Sequence, residues 1–518
     1  MKNFNNSANN PPPMTSQAGN WERNFLILLA VVFVWRVFFL TIVPLDLIGD
    51  EAYYWDWSRH LEWGYYSKPP MIAWVNALST SILGSTPFSV RLPAAILGTS
   101  TLGVLFLLAR RLFDSRVAFW TAVTAVTVPA YLAINVFMTV DAPLLFFWCL
   151  SLYGLWRALE NKENSWRWWL GTAIVAGFGL LTKQMMLVFF ALMLLFMATN
   201  RQDRPLLRQP WPYLSIVIAL LMLLPVVWWN WQHDWITLQH TSHHFSTDKG
   251  FFNFLRTVPE FLGSQLLLIS PLTGFLFATI TTGFLLKIRR QDRNVRYLVI
   301  FSVVSLLAFV LMSFRQSINP NWPAAFYPAG IILLSAWGCG AVSCGAKLDR
   351  WQKLYRPGLM IGAALTILGY ALPFVIVATD LGGGKLDPTR RLRGWHELSQ
   401  KVGVLLAEQP RPDKTFLVGV RRAQVSELAF YMDGQPQVYR WAGLDRKVSS
   451  QYEMWDGPLD KIGWDGLIVL RGKKQPPPDL VGCFASVRDL GVIEIPLGRG
   501  GGKEFSVFLG KNLLKWPK

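Results

Sequence analysis

The residues with the most chemical reach follow the first apolar run, in Gly49-Asp50-Glu51-Ala52-Tyr53-Tyr54-Trp55. Two adjacent carboxylates there sit where acyl chains meet water, a costly position that usually serves function. Next comes Tyr65-Tyr66-Ser67-Lys68-Pro69-Pro70, a cation on a turn stiffened by two prolines. A carboxylate and a cation on one membrane face suit group transfer from a lipid phosphate. The cation meets charge developing on the leaving phosphate, and the carboxylate removes the acceptor's proton. A hydrated helix end is the plain alternative for Asp50 and Glu51.

Asp141, in Thr139-Val140-Asp141-Ala142-Pro143, opens an apolar helix, where a capping role competes with chemistry. With Asp50 it could position a nucleophile or hold a divalent cation. Lys183, between two apolar runs in Leu181-Thr182-Lys183-Gln184, needs an anion, either Asp141 or a phosphate oxygen. His240, with His243 or His244, has the spacing of one helical face and forms a candidate metal site. A solvated loop is the competing reading of these histidines. A divalent metal is admitted by the sequence but not required by it.

These residues need a scaffold. The chain is 52% hydrophobic with 25 Trp and 34 Phe, and its apolar residues fall in long runs. A bilayer needs roughly 20 such residues per helix. About eleven runs qualify: 24–44, 88–109, 117–137, 141–158, 167–181, 183–199, 212–231, 258–286, 297–313, 322–344 and 357–378. With a cytoplasmic N-terminus, the inner loops carry eighteen Lys/Arg against six outside. That positive-inside bias places the 45–87 loop and the C-terminal segment outside. The net charge of +18 is then largely topological and needs no nucleic acid. Four Cys, mostly in or beside spans, offer no disulfide framework.

The expected fold is an all-α polytopic membrane protein with a small C-terminal α/β extracytoplasmic domain. Residues 1–23 are expected to be a disordered cytoplasmic N-terminus, 24–378 the transmembrane catalytic domain and 379–518 the outer domain. In the first outer loop, 71–83 is too short to cross and reads as an interfacial helix. Tyr53, Tyr54, Trp55, Trp57 and Trp63 read as an aromatic platform along the membrane surface. Gly382-Gly383-Gly384 reads as a hinge. Beyond it come strand-length runs at 415–420, 466–470, 492–495 and 505–509, with helical periodicity over 395–406.

The run Asp50 to Ser58, with Gly64-Tyr65-Tyr66 and Lys68-Pro69-Pro70-Met71-Ile72-Ala73-Trp74, resembles the first outer loop of bacterial GT-C glycosyltransferases. These are related to protein O-mannosyltransferases, lipid A aminoarabinose transferases and rhizobial galacturonosyltransferases. Asp141-Ala142-Pro143-Leu144, Leu181-Thr182-Lys183 and Asn321-Trp322-Pro323 match further positions, as more loosely do 394–398, 427–431 and 450–455. The resemblance implies a polyprenyl-phosphate sugar donor and a lipid, glycan or protein acceptor, with lipid A or lipopolysaccharide foremost. It implies a multi-pass protein of the bacterial inner membrane with its site facing the periplasm. Asp50 would be the base or acceptor-orienting carboxylate in an inverting single displacement, with Asp141 and Glu51 beside it. Lys68, Lys183 and Arg315, with Tyr54 and Tyr66, would hold the donor phosphate and lipid. Ser67 replaces the acidic residue that many relatives carry before the Pro-Pro turn. The rival reading is a lipid or solute transporter or flippase, which would show paired repeats and midplane charges. No repeat is visible, and the conspicuous charges gather at one face.

Overall fold

The computed structural model describes residues 15–160, 165–243, 253–445 and 447–517. The first long helix is α1 (Thr15–Ile42), and the first outer loop carries α2 (Gly49–Ser58) and α3 (Met71–Leu83) before α4 (Pro87–Leu112). Then follow α5 (Ser115–Val126), α6 (Pro129–Val136), α7 (Asp141–Glu160), α8 (Ser165–Leu180) and α9 (Leu187–Thr199). The next group is α10 (Trp211–Leu221), α11 (Leu224–Gln232), α12 (Ile236–His243), α13 (Phe254–Ile269) and α14 (Pro271–Leu286). The last membrane elements are α15 (Arg293–Val299), α16 (Ser305–Ser313), α17 (Tyr327–Gly338), the single turn α18 (Ala346–Asp349) and α19 (Tyr355–Ala378).

Among the described residues, five helices are long and apolar enough to cross a membrane, or up to eight if each bent pair is one span. Their outward faces are apolar: Val34 is 65% exposed, Met360 72% and Ile367 67%. Rows of exposed large apolar side chains mark a surface that meets lipid rather than water. Inside, aromatic edges interlock, as where Trp148 meets Phe326 edge-on at 4.8 Å between ring centroids.

Three expected spans are broken, each at a proline. Residues 117–137 bend by 75° before Pro129, 212–231 by 41° at Leu224-Pro225, and 258–286 by 111° at Ser270-Pro271. Proline removes a helical N–H and bars its predecessor from helical geometry. Ser270, at φ 91°, sits in the left-handed region. The N-terminal helix begins at Thr15, inside the stretch expected to be disordered, because the helix continues past its apolar run into polar residues. Residues 1–14 lie outside the described residues.

The C-terminal domain adds α20 (Trp395–Ala407) and α21 (Arg422–Tyr431) to a five-stranded sheet. Its strands are β1 (Thr415–Gly419), β2 (Val438–Arg440), β3 (Asp465–Arg471), β4 (Phe484–Pro496) and β5 (Gly502–Leu513), in the order β2-β1-β3-β5-β4. β1 runs parallel to β2 and β3, and β5 antiparallel to β3 and β4. Side chains alternate across the sheet. Leu417, Leu467 and Val469 join the main core, whereas Phe416, Val418 and Ile468 pack into a second cluster with Trp441 and Trp516.

Two expectations change here. The triple glycine is not a free hinge: Gly383, at φ +88°, packs so tightly on Gly501 that any Cβ would overlap its carbonyl. The aromatic platform is not a membrane surface either. Tyr53, Tyr54, Trp55 and Trp57 are buried, and of that set only Trp63 is exposed. The C-terminal domain covers them, with Trp55 edge-on to Phe430 at 4.8 Å and Tyr53 5.4 Å from Tyr452.

Candidate active site

α2 carries both leading carboxylates, yet the helix turns them in different directions. Glu51 is wholly buried. It accepts the Ile48 N–H at 3.0 Å, satisfying an orphan donor at the helix start, and the Met138 N–H at 2.9 Å. Arg91 meets it at 3.0 Å and also donates to the carbonyls of Leu45 and Asp46. Every lone pair of Glu51 is directed at structure, so the acid expected beside the chemistry is instead a buried ion pair holding α2 on α4.

Asp50 faces the other way and is half-exposed. Arg422 Nη2, from the first turn of α21, lies 2.6 Å from its Oδ1, and the guanidinium stacks 4.6 Å above the Tyr53 ring. Among the described residues no second donor binds the Asp50 carboxylate. One oxygen is steered by Arg422, and the other meets no donor among the described residues.

Lys68 is positioned by its own loop. Its carbonyl accepts the Tyr65 N–H at 3.1 Å, Pro69-Pro70 stiffens the turn, and Met71 N–H reaches the Leu181 carbonyl at 3.1 Å. That last bond ties the Lys68 turn to the break between α8 and α9, where Lys183 sits. Lys183 Nζ is 3.0 Å from Asp141 Oδ1, and Asn321 Nδ2 donates to Asp141 Oδ2. Asp141 therefore opens α7 with both oxygens engaged by side chains rather than by its own helix.

The groups act on one another electrostatically. Burial and then Lys183 push the Lys68 ammonium down to about 8, against the pull of Asp141 and Asp50. Burial and then Asp50 raise Tyr54 well above the usual phenol value, with Asp141 adding to the rise. Its hydroxyl thus stays protonated within the field of both carboxylates.

Lys68 and Lys183 head a cavity of about 520 Å³ whose walls are otherwise mostly apolar: Val188, Leu192, Ala308, Phe309 and Phe326. α9 and α16 supply most of that wall. A cationic head over an apolar groove fits an amphiphile with an anionic end.

His240 lines this cavity, and Tyr66 stands against it. Their rings lie 4.6 Å apart, and Tyr66 Oη is 3.1 Å from His240 Nδ1. Among the described residues no three His, Cys, Asp or Glu converge on a metal-sized site. His244 and the side chain of His243 lie outside the described residues. Arg315 is exposed and outside the cavity lining, where Asn319 from the same loop is found instead.

The sequence reading missed Arg422 and the role of Gln451. Gln451 donates its N–H to Tyr53 Oη at 2.6 Å and accepts the Tyr66 N–H at 2.7 Å. Tyr452 Oη meets Asp56 at 2.8 Å. The 450–455 run thus clamps the first outer loop, a role that needed the docked domain to be seen.

Comparison with known proteins bears on this arrangement. Residues 67–229 match the family described as dolichyl-phosphate-mannose-protein mannosyltransferase. The lipid A galacturonosyltransferase RgtD of Rhizobium johnstonii is 30% identical over 456 residues, 85% of this chain and 89% of that protein. This chain belongs to the bacterial GT-C glycosyltransferases that use polyprenyl-phosphate sugars. The undecaprenyl phosphate-alpha-4-amino-4-deoxy-L-arabinose arabinosyl transferase of Pseudomonas aeruginosa is 30% identical over 184 residues, 35% of this chain and 33% of that one. The crystal structure of ArnT from Cupriavidus metallidurans bound to undecaprenyl phosphate shares the GT-C fold. It aligns with a TM-score of 0.64 at 18% identity, covering 97% of this chain and 100% of that one. The chain is thus a membrane-embedded GT-C glycosyltransferase with a small C-terminal sheet, and its donor is a sugar on a polyprenyl phosphate.

Proposed function

We propose that this glycosyltransferase moves a sugar from a polyprenyl phosphate to lipid A, or to the lipopolysaccharide built on it, at the periplasmic face of the inner membrane. The observation that carries the reading is the pair Lys68 and Lys183 at the head of the apolar groove, with Asp50 and Asp141 within their field. The phosphate rests on the two ammonium groups, and the prenyl chain follows the α9 and α16 wall into the bilayer. Residues 24–378 form the catalytic membrane domain and 379–518 the periplasmic domain. The eighteen-to-six distribution of basic residues supports that orientation.

In the reaction the bond from the sugar's anomeric carbon to the phosphate oxygen breaks as the acceptor oxygen attacks from the opposite face. Asp50 takes the acceptor proton through the oxygen that Arg422 leaves open. Lys68 and Lys183 stabilise the second negative charge that forms on the departing phosphate, the main source of acceleration in a water-poor site. Asp141 holds Lys183 in place, and the Tyr54 hydroxyl donates to the reacting sugar or phosphate. One base suffices, and the sugar inverts.

Transfer of radiolabel from a polyprenyl-phosphate sugar to lipid A by the purified full chain tests this. Label appearing in lipid A and lost in Lys68→Ala is the expected result. Label reaching no lipid A, or transfer untouched by the substitution, overturns it.

A further inference from the structure

The C-terminal domain carries a second concentration of charge outside the site described above. The parallel strands β1 and β3 end on arginines: Arg421 follows β1, and Arg471 closes β3. The chain passes from β1 to β2 on one side and reaches β3 on the other, so the two arginines stand at a topological switch point. In open α/β sheets, ligands bind outside the carboxyl ends of strands at that place. Arg390 and Arg391, from the turn before α20, approach the same edge.

Beside it, Arg390, Arg471 and Lys503 line a cavity of about 690 Å³ between the end of β3 and the β4–β5 hairpin. Burial and then Arg421, Arg390 and Arg391 lower Arg471 below its ordinary value. Among the described residues, none of the four arginines is ion-paired with a carboxylate. Two carboxylates, Glu494 and Glu504, also line the cavity, and both act on Lys473, with Glu504 3.1 Å from its ammonium. Lys503 is spoken for from below, donating to the Arg393 carbonyl at 2.6 Å and drawn by Glu427 and Asp46. The four guanidiniums are therefore the charge in excess. Repulsion among them is a standing cost that an arriving anion would relieve, and guanidinium forks suit phosphate or carboxylate oxygens.

We propose that this cavity is the docking site for the anionic saccharide headgroup of the acceptor lipid, held by Arg390 and Arg471 in its wall. The site rests on the acceptor reading above. Its connection to the chemistry runs along the chain: Arg421 acts electrostatically on Arg471 in the cavity wall, and the next residue, Arg422, holds Asp50. A headgroup anchored there is presented to the base from the periplasmic side, while the donor approaches from the membrane.

The test titrates the full chain in detergent with two charged probes, glucosamine disaccharide 1,4′-bisphosphate and digalacturonate. Chitobiose and inorganic phosphate serve as the neutral and free-anion comparisons. At least one charged saccharide is expected to bind tenfold or more tighter than both comparisons, with affinity falling as salt rises. Arg390→Gln with Arg471→Gln should remove that preference, and the double Lys variant should restore part of it at an unchanged melting temperature. In transfer assays the Gln pair should raise the acceptor KM at least tenfold while leaving the donor KM and kcat near wild type. Charged saccharides binding no better than chitobiose, inorganic phosphate binding equally well, or an acceptor KM unmoved by the Gln pair each overturn the proposal. If wild-type protein labels no lipid A, the acceptor reading fails while the binding titration still decides whether the cavity takes anionic sugars.

Discussion

Arg422 Nη2 lies 2.6 Å from Asp50 Oδ1, so a side chain of the C-terminal domain holds the acid at the start of α2. The two side chains are 40% and 46% exposed. A pair that wet contributes about 0.2–1 kcal/mol to stability. That is too little to dock a domain. The docking rests instead on buried contacts such as Asp46 with the Trp395 N–H at 2.7 Å and Gln451 with Tyr53. Arg422 therefore orients Asp50, and Arg422→Ala should lower kcat about tenfold or more with little change in melting temperature. Arg422→Lys should recover part of the rate. An equal loss of folded protein in the Ala variant would point to a structural role.

Asp50→Asn keeps the shape but cannot take a proton. Transfer should fall by about 10²–10⁴-fold, the usual contribution of a general base. Donor affinity, read by polyprenyl-phosphate binding, should stay within about threefold, because the proposed phosphate site is the lysine pair.

Lys68 sets a pH limit. Its ammonium is pushed down to about 8 in the folded protein, so the charge proposed to meet the phosphate is present below that pH and is lost as pH rises through it. The donor kcat/KM should show an alkaline limb with a midpoint near 8, and Lys68→Arg should move it beyond pH 10. The unfolded chain holds this proton up to about 10.5. Between those values it binds more protons than the native state, so this group's contribution makes stability rise with pH.

Much of this was legible in the sequence and some was not. The pairing of Lys183 with Asp141 was one of two readings, because both residues lie at span ends on one predicted face. The Lys68 turn was legible from its prolines. Glu51 was not distinguishable from its neighbour: adjacent helix residues point about 100° apart, and only the position of Arg91 on α4 decides which one is buried. The helix breaks at Pro129, Pro225 and Pro271 were visible as prolines but masked by apolar runs long enough for a span. Arg422 escaped because its partner is 372 residues away and nothing local marks it. β2 escaped for a simpler reason, being only three residues long.

Glu51→Gln should behave differently from Asp50→Asn. It leaves Arg91 buried without its counter-charge, a loss of about 3–5 kcal/mol. Melting temperature and yield of folded protein should fall before any effect on kcat is separable. Asp50→Asn should show the reverse pattern.

Gly49→Val tests the contact between α2 and α21. A Cβ at Gly49 would stand 2.5 Å from Ala423 Cβ, with backbone close behind it. The substitution should push α21 and Arg422 away from Asp50, lowering kcat and raising susceptibility of the C-terminal domain to protease. Wild-type kcat in this variant would mean that domain contact does not support the chemistry.

The most direct measurement is a cryo-electron microscopy structure of the full chain with undecaprenyl phosphate bound. The phosphate is expected within hydrogen-bond distance of Lys68 and Lys183 Nζ, with the prenyl chain along Leu192, Ala308 and Phe309 and the Asp50 carboxylate facing the same chamber. A phosphate bound away from both lysines, or a prenyl chain outside that groove, would contradict the placement of donor and base in one cavity.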